Sequence, residues 1–416
     1  MEREAASRIP HAGATWPDTV DDIFGGDCVV TLGYVTPASG VVLTPLTNFA
    51  LRDRSAGTLT VLNSSVGVWK KLERIRRNPR VAVAFHTRKR GTSRRREYVL
   101  VQGNASLSEP VPEYPRLRAD VWERVESWQD LHPLWKAWLR VWALRLDIQI
   151  AVERILVWPE LDCSGTPEVY GAPLPLESPA PQPPPARGTS PRINVARAAR
   201  AAARLPDVLL GWVAADGFPM IVPVRISETE TRGIVLDAPD GIVPEGGRRA
   251  GLTAHWFDRA FRRGKPTGWG MSIRVHTGWL EATSAERGVL YAPHTKAGYG
   301  FPASTLLYRI AAGLGTRWGV REARRAGFIP QTGSAVTGGS CSAMSERLQA
   351  LEKMRLGRRE QTPRRLKPVT RASHEAPGPA SGKSAEPSGR LLHGSSASRS
   401  GAASRQARPS KGRISE

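Results

Sequence analysis

The spacing of apolar and polar positions changes several times along this chain, and each change marks an element. Residues 29–35 (Val-Val-Thr-Leu-Gly-Tyr-Val) are rich in β-branched and aromatic side chains and run into turn formers at 37–40, which predicts a strand. Residues 41–49 predict the returning strand of a hairpin around Gly40, and 58–62 a third strand. The period then lengthens. Trp69, Leu72 and Ile75 recur at three-residue spacing within the cationic stretch 67–77, which predicts a helix. Asn78-Pro79 ends it, because proline cannot continue a helix and disfavours helical backbone in the residue before it. Ser64 and Ser65 stand where the N-cap of that helix is expected. Strands return at 81–85 and 98–102, separated by the very basic hairpin 87–96. Residues 109–146 predict helix interrupted at Pro133, with Trp135, Trp138 and Trp142 on one face as a core stripe. Residues 147–159 alternate as a half-buried strand does.

The hairpin at Gly40, the run Lys71-Leu-Glu-Arg-Ile-Arg-Arg-Asn-Pro-Arg-Val-Ala-Val83 and the strand Tyr98-Val-Leu-Val-Gln-Gly103 together resemble the FMN-binding split barrel of the pyridoxamine 5′-phosphate oxidase-like family. The run from Lys71 is the most specific part. Beyond a proline-rich, stiff linker at 173–191 the same layout returns. Leu210-Gly-Trp-Val213 echoes Leu32-Gly-Tyr-Val35, Gly217 echoes Gly40, Pro223 echoes Pro45, and Val275-His-Thr-Gly278 echoes Val101-Gln-Gly103. The offsets, 178, 177, 178 and 175, are nearly constant, as a duplication requires. The second copy is degenerate where the first has its cationic helix: residues 238–249 contain Pro239, Pro244 and a glycine pair and read as a loop.

The expected fold is mainly β with helices (α+β): two tandem split β-barrels forming an intrachain pseudo-dimer, plus a disordered basic C-terminal tail. The first barrel is placed at 26–160, the Pro-rich linker at 161–192, the degenerate second barrel at 193–330 and the tail at 331–416. The tail is rich in Ser, Gly, Ala, Pro and Arg, with too few apolar residues to offset the entropy of ordering it.

Composition narrows the function. The formal net charge is +22, and 331–416 carries +10 of it (16 Lys and Arg against 6 Asp and Glu), so nucleic acid is a partner open to the tail. Cys28, Cys163 and Cys341 form neither a CxxC pair nor an even disulfide framework. His86, His255, His276 and His294 show no metal-ligand spacing, so no metal is expected, and no serine sits in a nucleophile elbow. The first residues lack the apolar core of a signal peptide, and no apolar run approaches the roughly 20 residues of a membrane span. A cytoplasmic, monomeric protein acting on a small molecule, with no membrane partner, is the expectation.

Lys71 is the principal candidate. A helix start favours an anion, and Lys70 and Lys71 fall on the first turn of the predicted helix behind Ser64 and Ser65. The resemblance implies that a basic pair at this point contacts the FMN phosphate; Lys71 matches the family's lysine by its distance from Asn78-Pro79, and Lys70 replaces an arginine often found there. Thr44 and Thr47 on the returning strand are candidates to hydrogen-bond the cofactor's ring or ribityl chain. Pro45 stands about where the oxidases proper carry an arginine to the cofactor. The resemblance therefore points to the looser relatives that bind FMN, a deazaflavin coenzyme or haem. It implies a flavin- or deazaflavin-binding oxidoreductase with catalytic residues unassigned. A non-catalytic cofactor- or haem-sequestering protein and a nucleic-acid-associated protein are the alternatives.

Overall fold

The computed structural model describes residues 14–89, 91–118, 128, 130–257, 261–262, 265–266, 270–282, 288–301 and 304–327. The expected tail at 331–416 lies outside them. Strands β1 (Val29–Val35) and β2 (Val41–Thr47) form the hairpin around Gly40, with Gly33 opposite Leu43. They are followed by β3 (Leu51–Asp53), β4 (Thr58–Ser65), β5 (Arg80–Phe85), β6 (Tyr98–Leu107), β7 (Arg145–Trp158) and β8 (Glu168–Gly171). The sheet order is β2-β1-β5-β6-β7-β4-β3, with β8 beside β7.

The second copy repeats it. Strands β9 (Asp207–Val213), β10 (Pro219–Pro223), β11 (Arg225–Thr229), β12 (Ile234–Asp237) and β13 (Gly246–Phe257) come first. The hairpin of β14 (Phe261–Arg262) and β15 (Lys265–Pro266) stands apart, and β16 (Met271–Ala282), β17 (Val289–Pro293) and β18 (Ala297–Phe301) complete the sheet. Its order, β10-β9-β13-β16-β17-β12-β11, is the first order strand for strand, with β18 beside β16. The fold is therefore mainly β, two antiparallel sheets of eight strands each, in a tandem duplicated split barrel.

Helices α1 (Asp18–Gly26), α2 (Trp69–Arg77), α3 (Tyr114–Leu117), α4 (Pro133–Trp138), α5 (Val195–Ala203) and α6 (Thr305–Arg325) decorate the sheets. Three stretches differ from expectation. Residues before 26, outside the expected bounds of the first barrel, contain α1, whose Val20, Ile23 and Phe24 enter the first core. Its counterpart α5 precedes β9. The helix expected over 109–146 is reduced, among the described residues, to α3, α4 and turns, and Trp142 lies past the end of α4. In the second copy, 238–245 joins β12 to β13 without a helix, while 246–249 belongs to β13.

The two copies meet about a pseudo-two-fold axis, and small residues make the approach possible. Gly33 faces Ile221 and Gly211 faces Leu43, and a Cβ on either glycine would come 2.9 Å from the facing side chain. Gly211 lies opposite Ile221 in its own hairpin as Gly33 lies opposite Leu43, so the two contacts are symmetry mates. Ordered polar contacts cross the same interface. Tyr98 Oη donates to the Ile221 carbonyl (2.7 Å), Gln102 Nε2 donates to that of Pro219 (2.7 Å), and buried Arg154 pairs with Asp216. The linker joins in through Gln182, whose Nε2 donates to the Ser39 carbonyl and whose Oε1 accepts from Arg249 N.

One pair of histidines marks the axis. Gly33 lies opposite Ala82 and Gly211 opposite Gly251, so His86 and His255, each four residues further on, occupy equivalent positions. Their Nε2 atoms are 2.7 Å apart, and both side chains are buried. His86 Nδ1 must donate to the Ala84 carbonyl, so in the neutral pair its Nε2 accepts from His255 Nε2. His255 Nδ1 is then a bare acceptor with no partner. Burial lowers both pKa values below the usual 6.5; Asp207 opposes this at His86, while Arg88 and Lys89 reinforce it. The unfolded chain therefore binds more protons than the folded one below about pH 6.5, and stability is lost as pH falls through that value. The melting temperature of His86→Gln/His255→Gln should fall less between neutral pH and pH ~5 than that of the wild type. Parallel losses would remove the pair from the acid response.

Candidate functional site

Helix α2 lies over the first barrel, with Leu72 and Ile75 in its core. Lys71 shares that inward stripe, one position from Leu72 and one turn from Ile75, and is 7% exposed. No acceptor meets its ammonium group among the described residues. Burial, and then the like charge of Arg145 on β7, push the Lys71 pKa down to about 7. An ammonium so placed is costly unless an anion accompanies it. Lys70, one residue earlier, points elsewhere: it is exposed, with Nζ 5.6 Å from the Trp69 ring. The two lysines therefore stand in different surroundings, one buried and one exposed.

Arg74, one turn after Lys71, is half-buried on the same side of α2. Its guanidinium and the Thr44 hydroxyl both stand against the Tyr34 phenol. Burial raises the Tyr34 pKa, and Thr44 and Arg74 hold it back. Thr44 thus joins the group under α2, while Thr47, three residues along the same strand, belongs to the opposite face. The cluster contains two cations on one helix, a third beside Lys71, and two hydroxyl groups. It suits a compact anion with several acceptor oxygens, such as a phosphate monoester.

Ser64 and Ser65 are not the cap. They end β4, where their backbones pair with Leu146 and Arg145, and the turn Val66–Val68 intervenes before α2. The residue at the N-cap is Val68, with no side-chain cap. Pairing with a strand some 80 residues away overrides the local serine signal.

Helix α6 of the second copy lies across the 66–68 turn. A Cβ on Gly319 would fall 2.3 Å from the Gly67 carbonyl, and one on Gly313 would fall 2.2 Å from the Trp138 indole nitrogen. These glycines let α6 close over the helix start. The position in the second copy equivalent to α2 has no such equipment. Arg248 donates to the Pro179 and Glu245 carbonyls, and Arg249 is held by Gln182 and Trp279. The basic loop 87–96 is likewise engaged internally, through Arg88 with Asp27 (2.6 Å) and Lys89 with Asp207 (3.2 Å). An acidic cleft around Asp18, Asp21 and Asp22 shares no residue with the Lys71 cluster.

The strand order defines a tandem split-barrel protein, and among the described residues the cationic cluster at α2 has no counterpart in the second copy. No family model matches the chain, and no curated protein matches it. Among solved structures it is similar to a heme binding protein from Mycobacterium smegmatis (14% identity, TM-score 0.24), over 74% of this chain and 99% of that one. It is also similar to a conserved hypothetical protein from Mycobacterium tuberculosis (19%, 0.26), over 39% and 95%. A third is a pyridoxamine 5′-phosphate oxidase-related, FMN binding protein from Nostoc punctiforme (11%, 0.22), over 48% and 87%.

Proposed function

We propose that the chain binds one flavin nucleotide, FMN or a deazaflavin relative, by its phosphate at Lys71, and acts as a flavin-dependent oxidoreductase on a small molecule. The observation that carries the reading is the buried Lys71 ammonium beside Arg145, with no acceptor among the described residues and with Arg74, Tyr34 and Thr44 on the same side of α2. Lys71 and Arg74 would hold the phosphate, Thr44 would donate or accept at its edge, and α6 would shield the helix start from water. The cofactor ring supplies hydride chemistry when bound, so the chain's own part is to bind and orient. The cations and hydroxyl groups on this side of α2 suit a phosphate-bearing flavin; haem would need an axial ligand here, and the Tyr34 phenol, which could be one, is raised in pKa by burial and already held against Thr44 and Arg74.

Two steps test this reading. FMN, a deazaflavin coenzyme and haemin are each titrated into the protein and followed by absorbance, and a loaded flavin form is then mixed with a nicotinamide donor in a single turnover. Tight flavin binding followed by reduction is expected. A haem complex with no flavin affinity would overturn the cofactor, and a bound flavin that takes no hydride from any donor would overturn the oxidoreductase.

A further inference from the structure

Five of the large apolar side chains exposed among the described residues lie on one helix. Leu306, Leu307, Ile310, Leu314 and Trp318 of α6 are 55, 52, 39, 56 and 64% exposed. Their spacing places them on one face. The other face is already used: Tyr308, Ala312, Gly319 and Ala323 are buried against the body of the protein. The outward stripe is therefore not a core face lacking its core, and an apolar patch of this kind marks an interaction surface.

The chemistry of that face selects its occupant. Arg321 and Arg325 continue the outward arc at its C-terminal end and are exposed, whereas Arg317 is turned inward over the Trp138 ring. Glu322 is the one acidic residue of the helix. Trp318 stands at the junction of the apolar and cationic parts. The occupant must offer hydrocarbon and negative charge side by side. A second copy of this chain would bring its own arginines against these, with no carboxylates on the stripe to meet them. An anionic bilayer offers both, and an in-plane helix with Leu, Ile and Trp on one side and Arg around them is the form that binds it.

We propose that α6 docks the chain on an anionic lipid surface, lying in the plane of the headgroups with Leu306, Leu307, Ile310, Leu314 and Trp318 immersed. No helix among the described residues is long and apolar enough to cross a membrane, and an in-plane helix needs no such length. The expectation of no membrane partner came from span length, which does not register a stripe of this kind. Because the inner face of α6 covers the 66–68 turn, docking leaves that packing intact and sets the start of α2 near the lipid boundary.

The test is co-sedimentation of the full-length chain with phosphatidylcholine vesicles, with and without phosphatidylglycerol, at physiological and at high salt. Residues 331–416 carry +10 and add a purely electrostatic attraction that high salt suppresses. Leu314→Ser/Trp318→Ser changes exposed positions only, and an unchanged melting temperature verifies its fold. Wild type should bind phosphatidylglycerol vesicles and retain binding at high salt, and the variant should bind roughly tenfold or more weakly at both salts. Three results would overturn the proposal: no wild-type binding, equal binding by the variant, or a wild-type dimer by light scattering that the variant turns into a monomer.

Discussion

Lys71→Met should weaken FMN binding by about 1.5–3 kcal/mol, ten- to a hundredfold or more in Kd, while the ligand-free variant melts no lower than the wild type. The two halves have one cause. Lys71 is buried among Leu72, Ile75 and the barrel wall, with no acceptor among the described residues and Arg145 nearby. Without an anion the charge is a burden on the fold, and with one it is a strong contact. Methionine keeps the length and apolar stem and removes the charge, so lost affinity cannot be ascribed to a cavity. Lys70→Met should leave the Kd nearly unchanged, since that side chain is exposed over Trp69. Isothermal titration and thermal melts measure both quantities. Equal affinity in Lys71→Met and wild type would remove Lys71 from the site.

FMN affinity should fall as pH rises above about 7, by up to roughly tenfold per pH unit, while ligand-free stability rises over the same interval. The folded Lys71 pKa of about 7 lies below the ordinary 10.5, so between those values the unfolded chain holds a proton that the folded chain has lost. Raising pH therefore favours the fold. The phosphate complex needs the proton back, so binding in that window takes up about one proton per chain. The second phosphate ionisation, near pH ~6, is complete before the window opens. Calorimetry in two buffers of different ionisation enthalpy should show the uptake near pH ~8 in wild type and its absence in Lys71→Met. Affinity independent of pH from 7 to 9, or uptake unchanged in the variant, would contradict the assignment.

The parts of the fold written in local pattern were legible. Residues 29–35 form the strand that their β-branched spacing predicts, and the offset of Gly33 to Gly211 reappears as two symmetry-related glycine contacts across the interface. What was not legible depends on distant partners. Ser64 and Ser65 carry a capping signal, but pairing with β7 draws them into the sheet and leaves the start of α2 to Val68. Lys70 and Lys71 are adjacent in sequence, and a helix turns such neighbours about 100° apart, so one is buried and the other solvated. Arg74 was within reach, because a residue three after Lys71 shares its side of a helix. Arg145 and the closure by α6 were not, since no local spacing joins residues 71, 145 and 319. Thr44 and Thr47 differ by an odd number on a strand, which already assigns them to opposite faces.

The most direct test of one built site in a self-paired chain is native mass spectrometry of the FMN-saturated full-length protein, repeated on Lys71→Met. A monomeric chain carrying one FMN, with the variant carrying none at the same ligand concentration, is the expected result. Two FMN molecules per chain, or one that persists in Lys71→Met, would contradict it.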